Sequence, residues 1–219
     1  MNANSDAHFW DKSAKSYAKS VISDNAGYER TLDKTRSVLK QTDKVLELGC
    51  GTGTTALRLA DNVKSYLASD ISSEMIKIAN DKLAASNLKS SGPGLQPHLS
   101  FRTGTAEVLA AEAARFTAVL GFNYLHLVYD VPGTLRSIHS LLEDGGLFIT
   151  KTPCVGDMNL LLRSALPVMR FVGLAPYVST FRKTELQEQI RAAGFDILQT
   201  EMHASKGNDN RPYIMARKK

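Results

Sequence analysis

Cysteine is scarce: Cys50 and Cys154 are the only two in 219 residues, and no histidine clusters with either. A disulfide scaffold is thereby excluded, a structural zinc site is disfavoured, and a reduced, cytoplasmic chain is expected. Glycine occurs fifteen times without a repeat, and no long heptad run is present, which excludes collagen and coiled coil. The opening Met1-Asn2-Ala3-Asn4-Ser5-Asp6 is polar and lacks the apolar core of a secretory leader, so none is expected. The most apolar stretch, Met158 to Val178, holds Arg163, Pro167, Arg170 and Pro176, which argues against a transmembrane span. Charge imbalance is modest: the net +5 concentrates in 151–183 and 205–219, each with five cations against one anion. No basic helix with interleaved aromatics accompanies it, so nucleic acid is not an expected partner. With 43% hydrophobic and 22% charged residues, a chain this long buries a core without covalent staples.

What is present is an alternation of strand and helix. Lys44 to Gly49, Tyr66 to Asp70, Leu99 to Arg102, Phe116 to Phe122 and Gly146 to Thr150 are short apolar runs ending near turn residues, the pattern of buried parallel strands. Met75, Ile76, Ala79 and Leu83 share one helical face, with Ser72 or Ser73 as cap. Leu135, Ile138, Leu141 and Leu142 form another stripe, with Pro132 in its first turn. Thr184 and Gln187 fit a capping box, and Gly194 ends that helix. Phe195 to Met202 and Arg211 to Arg217 then read as two strands joined by Ser205 to Asn210, a connection too short for anything but an antiparallel pair. Ahead of the first strand, Tyr28, Leu32, Thr35 and Leu39 mark one helix, and a shorter one runs from Phe9 to Lys19. The stretch Ser90 to Gly94 reads as a loop. The expected fold is α/β: a Rossmann-like, doubly wound sheet of about seven strands, mostly parallel, with a C-terminal antiparallel hairpin.

The most informative stretch is Val45 to Gly53, where a strand runs into Gly49, Gly51 and Gly53 and a helix follows from about Thr54. Bare glycines let a ligand lie against the backbone, and a helix start offers unpaired N–H groups. Asp70 ends the second strand, where a carboxylate can accept from both hydroxyls of a ribose. Gly51 to Ala56 also fits G-x-G-x-x-A, so the spacing alone admits NAD or another adenosine ligand. Glu47, just before the first glycine, repels a diphosphate and suits a ligand carrying positive charge. The closing hairpin is foreign to the usual dinucleotide fold.

Glu47-Leu48-Gly49-Cys50-Gly51-Thr52-Gly53 resembles the E/D-x-G-x-G-x-G motif of class I S-adenosylmethionine-dependent methyltransferases. Asp70 matches their acidic residue after strand 2. Gly121 to Leu127 resembles their motif after strand 4, and Leu142 to Leu147 their turn before strand 5, with Asp144 where proline is common. The likeness runs over roughly residues 40 to 218, and is greatest to enzymes acting on quinones and other lipid-like metabolites.

The resemblance implies a single methyltransferase domain over 1–219, with helices in 1–40 folded over the cofactor. It implies S-adenosylmethionine as donor, S-adenosylhomocysteine as product, and no metal. Glu47 then lies by the methionine end, the loop Gly49, Cys50, Gly51, Thr52 and Gly53 by its carboxylate, and Asp70 by the ribose. Ile71 and Met75 follow Asp70 around the nucleoside. Where the family often has Gly-Asp-Ala after strand 3, this chain has Gly104-Thr105-Ala106-Glu107, so adenine falls to Thr105, Ala106 or Glu107. Phe122 and Asn123 end strand 4 near the transferred methyl, and Tyr17 lines the pocket with Trp10. His126 is the one histidine placed by topology near that methyl; it either supplies a base or packs at the start of the next helix. His8, His98, His139 and His203 read as surface or packing residues. Residues 154–182 form an apolar insertion over the acceptor end, with Asn159, Arg163 and Arg170 along one stripe and Leu161 and Leu162 on its apolar face. A small, largely apolar acceptor is expected, with possible peripheral membrane contact through 158–178. The competing readings are an NAD-dependent reductase and a non-catalytic cofactor-binding subunit.

Overall fold

The computed structural model describes residues 3–87, 98–159, 166, 169–170, 175–206 and 210–219. Two helices lead, α1 (Ala3–Lys19) and α2 (Asn25–Val38). Then follow β1 (Lys44–Leu48), α3 (Ala56–Leu59), β2 (Ser65–Asp70), α4 (Ser73–Asn87), β3 (Leu99–Thr103), α5 (Ala106–Ala110) and β4 (Phe116–Phe122). The chain closes with α6 (Val131–Leu141), β5 (Leu142–Lys151), α7 (Lys183–Ala192), β6 (Phe195–Glu201) and β7 (Tyr213–Lys218). The strands form one sheet in the order β3-β2-β1-β4-β5-β7-β6. β3 through β5 run parallel, and β7 enters antiparallel between β5 and β6. The expected mixed sheet with its terminal hairpin is therefore the observed one.

β1 lies between β2 and β4, so its connections leave in opposite directions and open a crevice at its C-terminal end. Alternation along β1 builds both layers. Leu46 and Leu48 join Leu135, Ile138, Phe148 and Phe195 under α6 and α7. Val45 joins Leu32, Tyr66, Ile76 and Phe101 under α2 and α4. Glu47 follows Val45's side, so a carboxylate enters an apolar layer and sits 3% exposed.

Several boundaries differ from the expectation. α1 begins at Ala3 rather than near Phe9. Its middle is fastened to the start of α4 by Asp11, whose Oδ1 accepts from Ser72 Oγ at 2.6 Å and from the Glu74 N–H at 3.1 Å. The helix after the glycine loop is only Ala56–Leu59, passing at once into a 3₁₀ turn, Ala60–Asn62. Leu142 begins β5 instead of ending the α6 stripe, and β5 runs ahead of Gly146 because Phe116 pairs with Leu142 before a register shift. α7 starts two residues early: Lys183 N–H donates to Asp157 Oδ2 at 2.7 Å, and Glu185, not Gln187, returns its carboxylate to the Arg182 N–H at 2.8 Å. Ser72 proves to be the α4 cap, accepting from the Met75 N–H at 3.1 Å. Gly194, at φ +94°, ends α7 as expected. The stretch 90–94 lies outside the described residues, as do Leu161, Leu162 and Arg163.

Candidate functional site

The three glycines after β1 adopt φ of +68°, +53° and +76° at Gly49, Gly51 and Gly53, a region that penalises any side chain. Each answers to a different neighbour. A Cβ on Gly53 would stand 2.7 Å from Phe101 and 2.9 Å from Ala79, so Gly53 serves packing. A Cβ on Gly51 would meet the Tyr17 ring at 3.3 Å, and one on Gly49 would meet Tyr124 at 2.7 Å. The bare backbone at Gly49 and Gly51 thus carries two aromatic rings. Outside the loop, Lys82 Nζ donates to Thr52 Oγ1 at 2.8 Å and Thr54 Oγ1 at 3.2 Å, fixing its outer arm.

Asp70 leaves β2 facing this bend and is 9% exposed. Its Oδ2 accepts from the Gly51 N–H and its Oδ1 from the Ser72 N–H, both at 2.9 Å. The carboxylate is therefore fixed in direction, and each oxygen keeps a lone pair for a ligand hydroxyl. Burial raises its pKa, while the Ser72 and Gly51 N–H groups oppose that. Behind it, Glu47 Oε2 accepts from Tyr66 Oη at 2.8 Å. Burial pushes the Glu47 carboxyl up to about 7, against the Tyr66 hydrogen bond and with the Asp70 charge adding.

A cavity of about 1020 Å³ opens over these strand ends, at the upper end of ligand-pocket sizes. Of the expected set, Tyr17, Gly49, Gly51, Asp70, Ile71 and Met75 line its β1–β2 side. Thr105, Glu107, Phe122, Asn123 and His126 line it further along. Glu47, Cys50, Thr52, Gly53 and Ala106 are not among its lining residues. Thr105 caps α5, accepting from the Val108 N–H at 3.4 Å, and Glu107 Oε1 accepts from Thr134 Oγ1 at 2.6 Å.

Asn123, at φ +51°, is the only described non-glycine residue in the left-handed region, where asparagine is tolerated best. Its N–H donates to Lys151 O at 2.7 Å. This turn swings Tyr124 back over the β1 and β4 ends, 3.4 Å from where a Gly121 Cβ would be. Burial, with Glu107 and Asp70 nearby, raises the pKa of the Tyr124 hydroxyl strongly. Nothing in the sequence singled out Tyr124; the near-empty positions of Gly49 and Gly121 were the available signal.

His126 lies in the 3₁₀ turn Leu125–Leu127. Its Nδ1 is 2.9 Å from Thr152 Oγ1, the same oxygen accepts the His126 N–H at 3.2 Å, and His126 O accepts from the Ser179 N–H at 2.7 Å. Burial pushes the imidazole down to about 4, so it is neutral at physiological pH. The remaining wall mixes apolar residues, among them Trp10, Leu127, Val128, Pro176 and Val178, with polar and charged ones, among them Asp6, Asp130, Arg136 and Arg211. Over it, Tyr129 stacks on Tyr177 at 4.0 Å, and Arg170 covers the Tyr177 ring at 4.8 Å while donating to Tyr129 Oη at 2.8 Å. Two segments far apart in sequence meet there. His203, expected as a surface or packing residue, is 4% exposed, between Glu201 Oε2 at 2.8 Å and Thr31 Oγ1 at 3.0 Å. Among the described residues no group of three or more His, Cys, Asp or Glu side chains is placed to hold a metal ion, and no helix is long and apolar enough to cross a membrane.

Comparison with known proteins agrees with this architecture. The methyltransferase-domain family matches residues 17–200. A mitochondrial arginine-hydroxylase of Danio rerio is 29% identical over 86% of this chain and 58% of its own length. A ubiquinone biosynthesis O-methyltransferase of Methylocella silvestris is 33% identical over 50% of this chain and 39% of its own. The chain thus spans well under two thirds of those relatives. The magnesium protoporphyrin IX methyltransferase of Synechocystis, solved with S-adenosylhomocysteine bound, superposes with a TM-score of 0.63 at 20% identity, over 88% of this chain and 84% of that one. With the glycine bend, the facing aspartate and the seven-stranded mixed sheet in place, the chain belongs to the methyltransferase-domain family, in the class I S-adenosylmethionine-dependent fold.

Proposed function

We propose that this protein transfers a methyl group from S-adenosylmethionine to a small, largely apolar acceptor. The carrying observation is Asp70, fixed by two backbone N–H groups at the edge of a glycine bend and facing one cavity large enough for donor and acceptor together. Asp70 and Glu107 both line that cavity. Such a field repels a diphosphate and tolerates a cation, which weighs against the NAD reading. The sulfonium supplies an already electrophilic methyl: the acceptor–CH₃ bond forms as the S–CH₃ bond breaks, and a neutral thioether leaves.

The protein's own contribution is orientation and exclusion of water. Asp70 holds the ribose, Ile71 and Met75 flank the nucleoside, and Thr105 and Glu107 border the base. Asn123 and Tyr17 stand where the two reactants meet. Trp10, Leu127, Val128, Pro176 and Val178 give the acceptor an apolar bed, in agreement with the ubiquinone O-methyltransferase relatives. His126 is neutral and hydrogen-bonded to Thr152, which suits placing a polar acceptor group better than accepting a proton outright. One domain carries these parts, with Tyr17 and Trp10 of α1 and, from the later part of the chain, Pro176 and Val178 bordering the cavity. The free, buried thiols Cys50 and Cys154 suit a reducing, cytoplasmic setting.

The test is incubation with methyl-labelled S-adenosylmethionine and a panel of prenylated hydroquinones, phenols and amines, read by mass spectrometry. A methylated product with stoichiometric S-adenosylhomocysteine supports the assignment. Donor binding without label transfer to any acceptor in a cell extract would instead favour a cofactor-binding subunit.

A further inference from the structure

His126 borders the cavity with its backbone pinned on both sides. Its N–H donates to Thr152 Oγ1 at 3.2 Å, and its carbonyl accepts from the Ser179 N–H at 2.7 Å. Ser179 is tied to the same turn, its hydroxyl donating to Val128 O at 2.8 Å. The ring is fixed as well, with Nδ1 2.9 Å from Thr152 Oγ1. Nε2 has no hydrogen-bond partner among the described residues, yet it is not sealed inside the protein. It is the ring nitrogen that a ligand in the cavity reaches.

Which nitrogen carries the proton follows from Thr152, just past β5 and 0% exposed. Its oxygen already accepts the His126 N–H, and its one hydroxyl proton has no partner other than Nδ1 among the described residues. With the ring proton on Nδ1, Oγ1 accepts twice and its own buried proton is left unpaired, which is disfavoured. The satisfied arrangement has Thr152 donating to Nδ1 and the ring proton on Nε2. The imidazole is neutral, pushed down to about 4 by burial, so it holds one proton only. Nε2 therefore offers a ligand a donor and no lone pair.

Resting on the methyltransferase reading, we infer that His126 is a hydrogen-bond donor to the acceptor molecule, and that this acceptor is a hydroxy compound conjugated to a carbonyl, such as a hydroxyquinone or the enol of a β-diketone. With no base at Nε2, the acceptor has to arrive deprotonated. An ordinary phenol, titrating near about 10 as tyrosine does, does not; a hydroxyl acidified by a conjugated carbonyl does. Nε2–H donates to the carbonyl oxygen, over which the anion's charge is shared. The deprotonated hydroxyl oxygen gives its electron pair to the methyl carbon, the S–CH₃ pair leaves with the neutral thioether, and no proton passes to the protein. Leu127, Val128, Pro176 and Val178 suit the flat rings of such a compound. Arg136 and Arg211 line the cavity alongside Asp6 and Asp130, so a singly charged anion does not meet a field of one sign.

Two measurements test this. In nitrogen NMR of histidine-labelled wild-type protein at neutral pH, with the His126 signals assigned by their loss in His126→Gln, Nε2 is the protonated nitrogen and Nδ1 the bare one. The proton on Nδ1, or an even mixture, overturns the inference. Calorimetry with S-adenosylhomocysteine present then compares hydroxynaphthoquinone with naphthol, which lacks the carbonyls. Wild-type protein binds the quinone tighter, by roughly ten-fold. His126→Leu lowers that ratio at least about three-fold, whereas His126→Gln, which donates but takes no proton, keeps most of it. Thr152→Val, which removes the hydroxyl that sets the tautomer, also lowers the ratio and serves if His126→Leu does not fold. A wild-type ratio near one, a ratio unmoved by Leu and Val, or a Gln variant that falls as far as Leu overturns the inference. Wild-type protein that does not bind S-adenosylhomocysteine refutes the methyltransferase reading instead.

Discussion

Glu47 should make the protein less stable as pH rises through neutrality. Its side chain is 3% exposed, with Tyr66 Oη as its hydrogen-bond donor, and burial lifts its pKa from 4.5 to about 7. Between those two values the folded chain holds a proton that the unfolded chain has released. Linkage then fixes the sign: the unfolded state binds fewer protons, so stability falls with increasing pH across that window. At about 1.4 kcal/mol per pH unit, a rise from 4.5 to about 7 amounts to about 3 kcal/mol, fully lost above the folded pKa. Glu47→Gln keeps an acceptor for Tyr66 and cannot ionise. Urea unfolding of both proteins at pH 5, 6, 7 and 8 isolates the effect, because other titrating groups cancel in the difference. The variant should gain about 2.5 kcal/mol on wild type between pH 5 and 8. A difference constant to within about 0.5 kcal/mol over that range would refute the reasoning.

Other consequences are simpler to check. Gly53→Ala forces a Cβ into φ +76° and to 2.7 Å from Phe101, so it should cost at least about 2 kcal/mol in urea unfolding. Asp70→Ala should weaken S-adenosylhomocysteine binding by about 1–3 kcal/mol in calorimetry; an unchanged affinity would remove Asp70 from the ribose. The His126 imidazole, pushed down to about 4, should remain neutral in an NMR titration well below pH 6, and a midpoint near 6.5 would contradict its burial.

The strands were legible because parallel strands covered on both faces read as plain apolar runs; Val45–Leu48 and Phe116–Phe122 are of this kind. Helix starts were less so. Thr184-x-x-Gln187 fits a capping box by type, but Asp157, far away in sequence, takes the Lys183 N–H and moves the start. Asp11 does similar work at the start of α4, and such tertiary partners leave no local trace. The glycines were read as room for a ligand. Structurally, Gly53 makes room for Phe101 and Gly49 for Tyr124. Tyr124 was missed because its position depends on one left-handed residue, Asn123. The Tyr129–Tyr177–Arg170 stack joins segments whose meeting no periodicity encodes.

The account stands most directly on what the crevice beside Asp70 binds. Calorimetric titration of wild-type protein with S-adenosylhomocysteine and, separately, with NADH decides it. Saturable one-to-one binding of the nucleoside thioether, with no heat from the dinucleotide, is the predicted result; tight NADH binding in its place would contradict it.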